Sequence, residues 1–299
     1  MLFRSRRGVD DLLDRVVSLI PEDARIKQED EGLKLVLLGR RNVGKSSFVN
    51  YLAGEERVIV SEVPGTTRDA VDVAIQTEKF KLVAIDTAGV RKKSSMSHPV
   101  EIYSTARTES ALTRADVVVL MIDAKQAVSA LEKRLAKMIT EEFKPCIIAV
   151  NKWDLAGEAD PNTYTEYIGK TLPGLAHCPI VYMSVKEGSR VTNIVKIAED
   201  LDKQTRQSWP TPLLNEIAQE AWERNRPRVK HSKLPKIYYC TQIGTRPPSF
   251  LFFVNMPEFF TDTYTRYLVN YLRKRLDAPE VPIRVIMRQR RPSSRTQEN

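Results

Sequence analysis

Cysteine is scarce in this chain of 299 residues. Cys146, Cys178 and Cys240 stand alone, in or beside strand-like runs, which excludes a disulfide framework and a zinc site built on thiolates. Long apolar runs are also missing. The longest, Val117–Ile122, falls far short of the roughly 20 residues that cross a bilayer. The N-terminus has no signal-peptide pattern of charge, long apolar core and small-residue cleavage site. These absences exclude a membrane partner and predict a cytoplasmic protein. The C-terminal third lacks acidic charge. From Lys203 onward there are 18 Lys and Arg against 8 Asp and Glu, whereas the first 202 residues are nearly balanced at 29 against 30. The whole net charge of +9 therefore sits at one end. Such an excess attracts phosphates independently of sequence and points to nucleic acid; the alternative is a basic face that merely keeps the chain in solution.

What is present is a phosphate loop. Gly39-Arg40-Arg41-Asn42-Val43-Gly44-Lys45-Ser46 fits G-x4-G-K-S, follows the apolar run Leu33–Leu38, which reads as a buried strand, and precedes a helix start at Ser47-Phe48-Val49. Glycines allow the backbone to wrap phosphates so that its N–H groups and a helix N-terminus face the anion. Lys45 adds a mobile positive charge, and Ser46 would hold Mg2+. This pattern in this context predicts an α/β fold with a doubly wound sheet.

A second strand-like run, Cys146–Val150, delivers Asn151-Lys152-Trp153-Asp154 to the sheet edge where open parallel sheets bind ligands. Guanine offers two adjacent donors that one carboxylate, Asp154, can accept together, while adenine would leave that carboxylate unpaired. The expected ligands are GTP and GDP. Between the two motifs lie Pro64-Gly65-Thr66-Thr67-Arg68-Asp69 and Asp86-Thr87-Ala88-Gly89. Thr67 and Asp86 are candidates to complete the Mg2+ shell, and the Gly89 amide to touch the third phosphate. Loss of that phosphate would release both loops.

With these residues laid out, the chain resembles the translation-factor-type GTPases and most closely the Der (EngA) family. The likeness rests on Gly39 to Ser47, Pro64 to Asp69, Asp86 to Gly89, Val100-Glu101-Ile102-Tyr103-Ser104, Asn151 to Asp154, and the segment from Lys236 to Pro248. It implies GTP hydrolysis coupled to maturation of the large ribosomal subunit, with ribosomal RNA or the large subunit as partner, no DNA expected and no oligomer required. Members carry two GTPase domains in tandem before a KH-like domain; this chain has one set of motifs and resembles the second GTPase domain plus the KH-like domain. Ser184-Val185 stands at the family's Ser-Ala pair, whose amide would recognise guanine, and the bulk of valine predicts slightly weaker packing against the base.

The resemblance also frames catalysis. Where Ras-like enzymes place a water-orienting glutamine after Asp86–Gly89, this chain has Val90. In related GTPases with an apolar residue there, a phosphate-loop asparagine helps bind a potassium ion that replaces an arginine finger, and Asn42 holds the matching place. Glu101 resembles the acidic residue that positions water indirectly, or is an exposed carboxylate at a helix start. Arg40, Arg41 and Arg91 are candidates for an internal arginine finger or for solvated positions.

The expected organisation is a helix and linker over 1–30, a GTPase domain over 31–205, a KH-like domain over 206–290 and a disordered tail over 291–299. Residues 9–20 have helical apolar spacing that resembles the closing helix of a preceding GTPase domain. In the C-terminal third, a linker at Trp209–Pro212 leads to a helix over 213–223, strands over 236–243 and 250–255, a helix over 261–276 and a strand over 283–288. This αββαβ order has no G-x-x-G loop to clamp nucleotides. Tyr238, Tyr239, Phe250, Phe252 and Phe253 are candidates for base stacking or for core.

Overall fold

The computed structural model describes residues 32–54, 59–63, 72–76, 81–85, 105–227 and 234–290. The expectations for the N-terminal helix, for Thr67, Asp86, Gly89, Val90, Arg91 and Glu101, and for the tail fall outside the described residues. From Leu33 onward the chain belongs to one compact unit.

Strand β1 (Leu33–Leu38) leads through the phosphate loop into helix α1 (Lys45–Gly54). There follow β2 (Ile59–Val63), β3 (Asp72–Gln76), β4 (Lys81–Ile85), α2 (Thr105–Arg114) and β5 (Val117–Asp123). Then come α3 (Ala130–Glu141), β6 (Cys146–Asn151), α4 (Pro161–Thr171), β7 (Ile180–Tyr182) and α5 (Val191–Thr205). The sheet order is β2-β3-β4-β1-β5-β6-β7. Pairings from β4 to β7 are parallel, and the β2–β3 and β3–β4 pairings at one edge are antiparallel. Every residue of β5 and β6 is buried, as strands covered on both faces must be. The pleat divides them between two cores. Leu35, Leu37, Val117, Val119 and Met121 pack under α1 and α5, while Val36, Leu38, Val118, Leu120 and Ile122 pack under α2, α3 and α4.

The C-terminal third forms α6 (Thr211–Arg224), β8 (Ile237–Thr245), β9 (Pro248–Val254), α7 (Asp262–Arg275) and β10 (Arg284–Gln289), with strand order β10-β9-β8. The expected αββαβ order is present. Helix α6 begins two residues before the expected start, because Pro212 fits the first helical turn, where its missing N–H has no intrahelical partner to lose. Helix α7 buries Tyr264, Leu268 and Leu272, and the Thr261 side chain caps it by accepting from the Tyr264 N–H. These meet Leu214, Ile217, Phe250 and Phe252 in a third core.

The joint between the two sheets is packed. Ala278 and Val281, just after α7, are fully buried in the core under α1 and α5. Arg246, in the β8–β9 turn, donates to Asp202 of α5 at 2.6 Å and to Asp116 before β5 at 3.4 Å. The Arg284 guanidinium sits 4.5 Å from the centre of the Phe143 ring.

Candidate functional site

The phosphate loop needs glycine at two places. Gly39 (φ +141°) and Gly44 (φ +111°) lie where side chains are strained, and a Cβ on Gly44 would collide with Nδ2 of Asn151. Asn42 takes φ +59°, a conformation asparagine tolerates better than most residues. This gives position 42 a local reason for asparagine that is independent of any ion. The Lys45 ammonium donates to the carbonyls of Gly39 (2.6 Å) and Arg40 (2.8 Å), across the mouth of the loop. Ser46 is half-buried in the first turn of α1, while Arg41, Asn42 and Ser47 are exposed. Val43 turns inward to the core and leaves its carbonyl to a distant partner.

That partner is Asn151, the last residue of β6. Its Nδ2 donates to the Val43 carbonyl at 2.7 Å, and its Oδ1 accepts the Val185 N–H at 3.1 Å. One buried amide thus joins three segments distant in sequence: the phosphate loop, the Asn-Lys-x-Asp turn and the 184–185 loop. Lys152 is in the left-handed region (φ 63°), and the Trp153 N–H then donates to the Met183 carbonyl at 3.1 Å. The turn Trp153–Leu155 leaves the Asp154 carboxylate exposed, with no hydrogen-bond partner among the described residues. Cradle and carboxylate occupy the same edge of the sheet. Glycines that admit close backbone approach, a helix N-terminus and an accessible acceptor fit a guanine nucleotide.

Two of these residues have partners that the sequence does not show. Val185 has its side chain buried in the core under α5, and its N–H donates to Asn151. Ser184 is likewise buried, its N–H and carbonyl paired with Ser189. Arg40 is tied to partners distant in sequence. It donates to Glu132 (2.9 Å), Gln126 (2.8 Å) and the Ala127 carbonyl (3.3 Å) at the start of α3, and Glu132 is wholly buried. The Arg40 side chain braces the loop from behind.

Sequence reasoning missed Asp123, the last residue of β5 and the ladder neighbour of Asn151. Its position at the end of a long apolar run, in the strand that pairs directly with the phosphate loop's own strand, was the available signal. Asp123 accepts from Lys152 Nζ (2.7 Å), the Lys125 N–H (3.0 Å) and Gln126 Nε2 (3.3 Å). Burial pushes its pKa up, but the Lys152 and Lys125 hydrogen bonds and the charges of Lys152 and Arg40 outweigh that and hold it below the usual carboxylate value. A depressed folded pKa contributes stability above the unfolded pKa and loses it as pH falls through the folded one. Asp123→Asn should therefore cost about 1–3 kcal/mol at pH 7. The gap from wild type should close below about pH 4. Urea melts at pH 7 and pH 3 check this; an undiminished gap at pH 3 would mean that the charge of Asp123 contributes nothing.

A glycine-lined phosphate cradle on β1 and an Asn-Lys-x-Asp turn on β6 of one doubly wound sheet give a fold of the phosphate-loop GTPase type, here joined to a small α+β unit. Residues 34–152 match the family model described as 50S ribosome-binding GTPase, and residues 209–288 the model described as KH-domain-like of EngA bacterial GTPase enzymes, C-terminal. In both parts the chain is similar to the Der (EngA) family of GTPases. It is 41% identical over 287 residues to GTPase Der of Halothermothrix orenii, covering 95% of this chain and 65% of that protein. To GTPase Der of Ruminiclostridium cellulolyticum it is 41% identical over 286 residues, with the same shares. The chain thus spans about 65% of the length of these curated relatives. Among solved structures, Era of Aquifex aeolicus bound to GDP and AlF4- is 22% identical, with 86% of this chain and 93% of that one covered and a TM-score of 0.42.

Proposed function

We propose that this chain binds GTP with Mg2+, hydrolyses it to GDP and phosphate, and uses the nucleotide state to switch its association with RNA of the large ribosomal subunit in the cytoplasm. The carrying observation is the Asn151 side chain, which ties the phosphate loop to the base-reading turn. Names of relatives and of the matched models support the ribosomal part, and among the described residues no helix is long and apolar enough to cross a membrane.

In this reading the backbone N–H groups of residues 40–45 and the N-terminus of α1 receive the phosphates. The Lys45 ammonium moves from its two loop carbonyls to phosphate oxygens, exchanging neutral acceptors for charged ones. Asp154 accepts both guanine donors, while the Asn151 tie fixes the distance between base and phosphate sites. Ser46, with Thr67 and Asp86, would hold Mg2+, which when bound neutralises charge building on the phosphate oxygens. Gly89 would present its amide to the third phosphate, and Glu101 would position water indirectly.

Val90 has no group to orient water, so the remaining stabilisation falls to Asn42 with a potassium ion. Hydrolysis by the full chain should be about ten-fold or more faster in potassium than in sodium. Asn42→Ala and Asn42→Gly should abolish the difference and change GTP affinity less than three-fold or so; the glycine variant does so without backbone strain. Equal rates in both salts would overturn the potassium role. Negligible turnover in both would favour a slowly hydrolysing, nucleotide-gated RNA-binding module.

A further inference from the structure

Four of the large apolar side chains most exposed among the described residues, Tyr238, Tyr239, Ile243 and Ile286, lie on the three-stranded sheet. Helices α6 and α7 cover one face of that sheet, where Cys240, Phe250, Phe252 and Val254 are fully buried. The opposite face is laid out by the register in rows. Tyr239, Phe253 and Arg288 form one, and Thr241, Leu251 and Ile286 the next; Ser249 and Arg284 lie beyond. The Tyr239 and Phe253 rings stack 4.3 Å apart at 17°. Beside them the Arg290 guanidinium sits 5.0 Å from the centre of the Tyr238 ring.

We propose that this outer sheet face binds an unpaired RNA segment, whose bases stack on Tyr239 and Phe253 and pack on Leu251 and Ile286 while Arg288 and Arg290 meet its phosphates. The proposal rests on the RNA-binding reading above and assigns it a surface. Three features favour RNA over a protein partner. Every charged side chain in these rows is an arginine, and the residues from Lys203 onward carry the chain's whole charge excess, so the face complements a polyanion. Aromatic rings bordered by arginines bind unstacked bases of any sequence. The C-terminal third contains a single glycine, Gly244, so it has no G-x-x-G loop and no clamp for nucleotides on the helical side. Neighbouring rows lie about 7 Å apart along the strands, leaving room for one base on each.

The Tyr239 row is one end of this face. At the other, Arg284 turns to Phe143 of the GTPase unit. A strand entering from the Tyr239 side would therefore run toward the joint between the two sheets.

The test is fluorescence anisotropy of the full chain with labelled 12-nucleotide oligo(U) and oligo(A) and with a 12-base-pair RNA duplex. The wild type should bind the single strands more tightly than the duplex. Tyr239→Leu, which keeps apolar bulk but removes the ring, should weaken single-strand binding about 5- to 50-fold without changing its salt slope. The pair Arg288→Gln and Arg290→Gln should instead lower that slope by about 0.7 per lost phosphate contact. Wild-type affinity in Tyr239→Leu would overturn the assignment to this face while leaving RNA binding intact. A preference for duplex would overturn the stacking, and no binding to any of the three would overturn the RNA reading itself. Self-association of the wild type that Tyr239→Leu abolishes would show that a second copy covers the face.

Discussion

Asp154→Asn should lower GTP affinity by about 100-fold or more and raise affinity for xanthosine triphosphate, because the amide donates where xanthine offers an oxygen. The size of the effect follows from the surroundings. Lys152 is held by Asp123, Trp153 is fixed by its N–H bond to Met183, and its ring lies 4.3 Å from that of Tyr182 and 5.5 Å from that of Tyr164. A carboxylate presented by so firm a turn cannot swing aside to relieve a mismatched base. Asp154 is exposed and has no partner among the described residues, so the melting temperature should stay within about 1–2 °C of wild type. Titration calorimetry with both nucleotides decides the matter: an unchanged preference for GTP would remove Asp154 from base recognition.

Gly44→Ala should be worse still, since it attacks stability and binding together. The backbone there has φ +111°, and the new methyl would meet the Asn151 amide. Strain of about 1–2 kcal/mol joins the loss of a buried hydrogen bond worth about 1–3 kcal/mol. GTP affinity should fall at least about 100-fold, because the tie that sets the spacing of the two half-sites must break. Gly169→Ala in α4 supplies the contrast: nothing lies within 4 Å of its added Cβ, and the change should be neutral or stabilising by up to about 1 kcal/mol. Thermal melts with and without GDP separate the two components. Gly44→Ala protein that melts and binds as wild type would show that the loop relaxes freely.

The parts of this fold that could be read in advance are those where one local pattern suffices. The run Leu33–Leu38 before a glycine loop, and Cys146–Val150 before Asn151, are buried strands whose ends deliver functional residues, and both lie where their patterns placed them. What stayed hidden depends on partners distant in sequence. Arg40 resembles a phosphate-facing arginine until Glu132, 92 positions away, is seen beneath it. Val185 resembles a bulky base neighbour until its side chain is found in the core. Among the aromatics, irregular register between Ile237 and Tyr239 in β8 breaks the two-residue alternation, so no reading by period could show that the neighbours Tyr238 and Tyr239 are both exposed, whereas Phe250 and Phe252 of the regular β9 are core.

Ala278 and Val281 give the packing of the joint a mechanical meaning. Side chains that follow α7 are buried in the core shared by α1 and α5, so a pivot at the joint would open a void, and voids in packed cores are costly. The two sheets must then turn together, as a lever with no elbow. A tilt of the nucleotide-binding sheet would then be carried across the joint to the sheet that bears Tyr239.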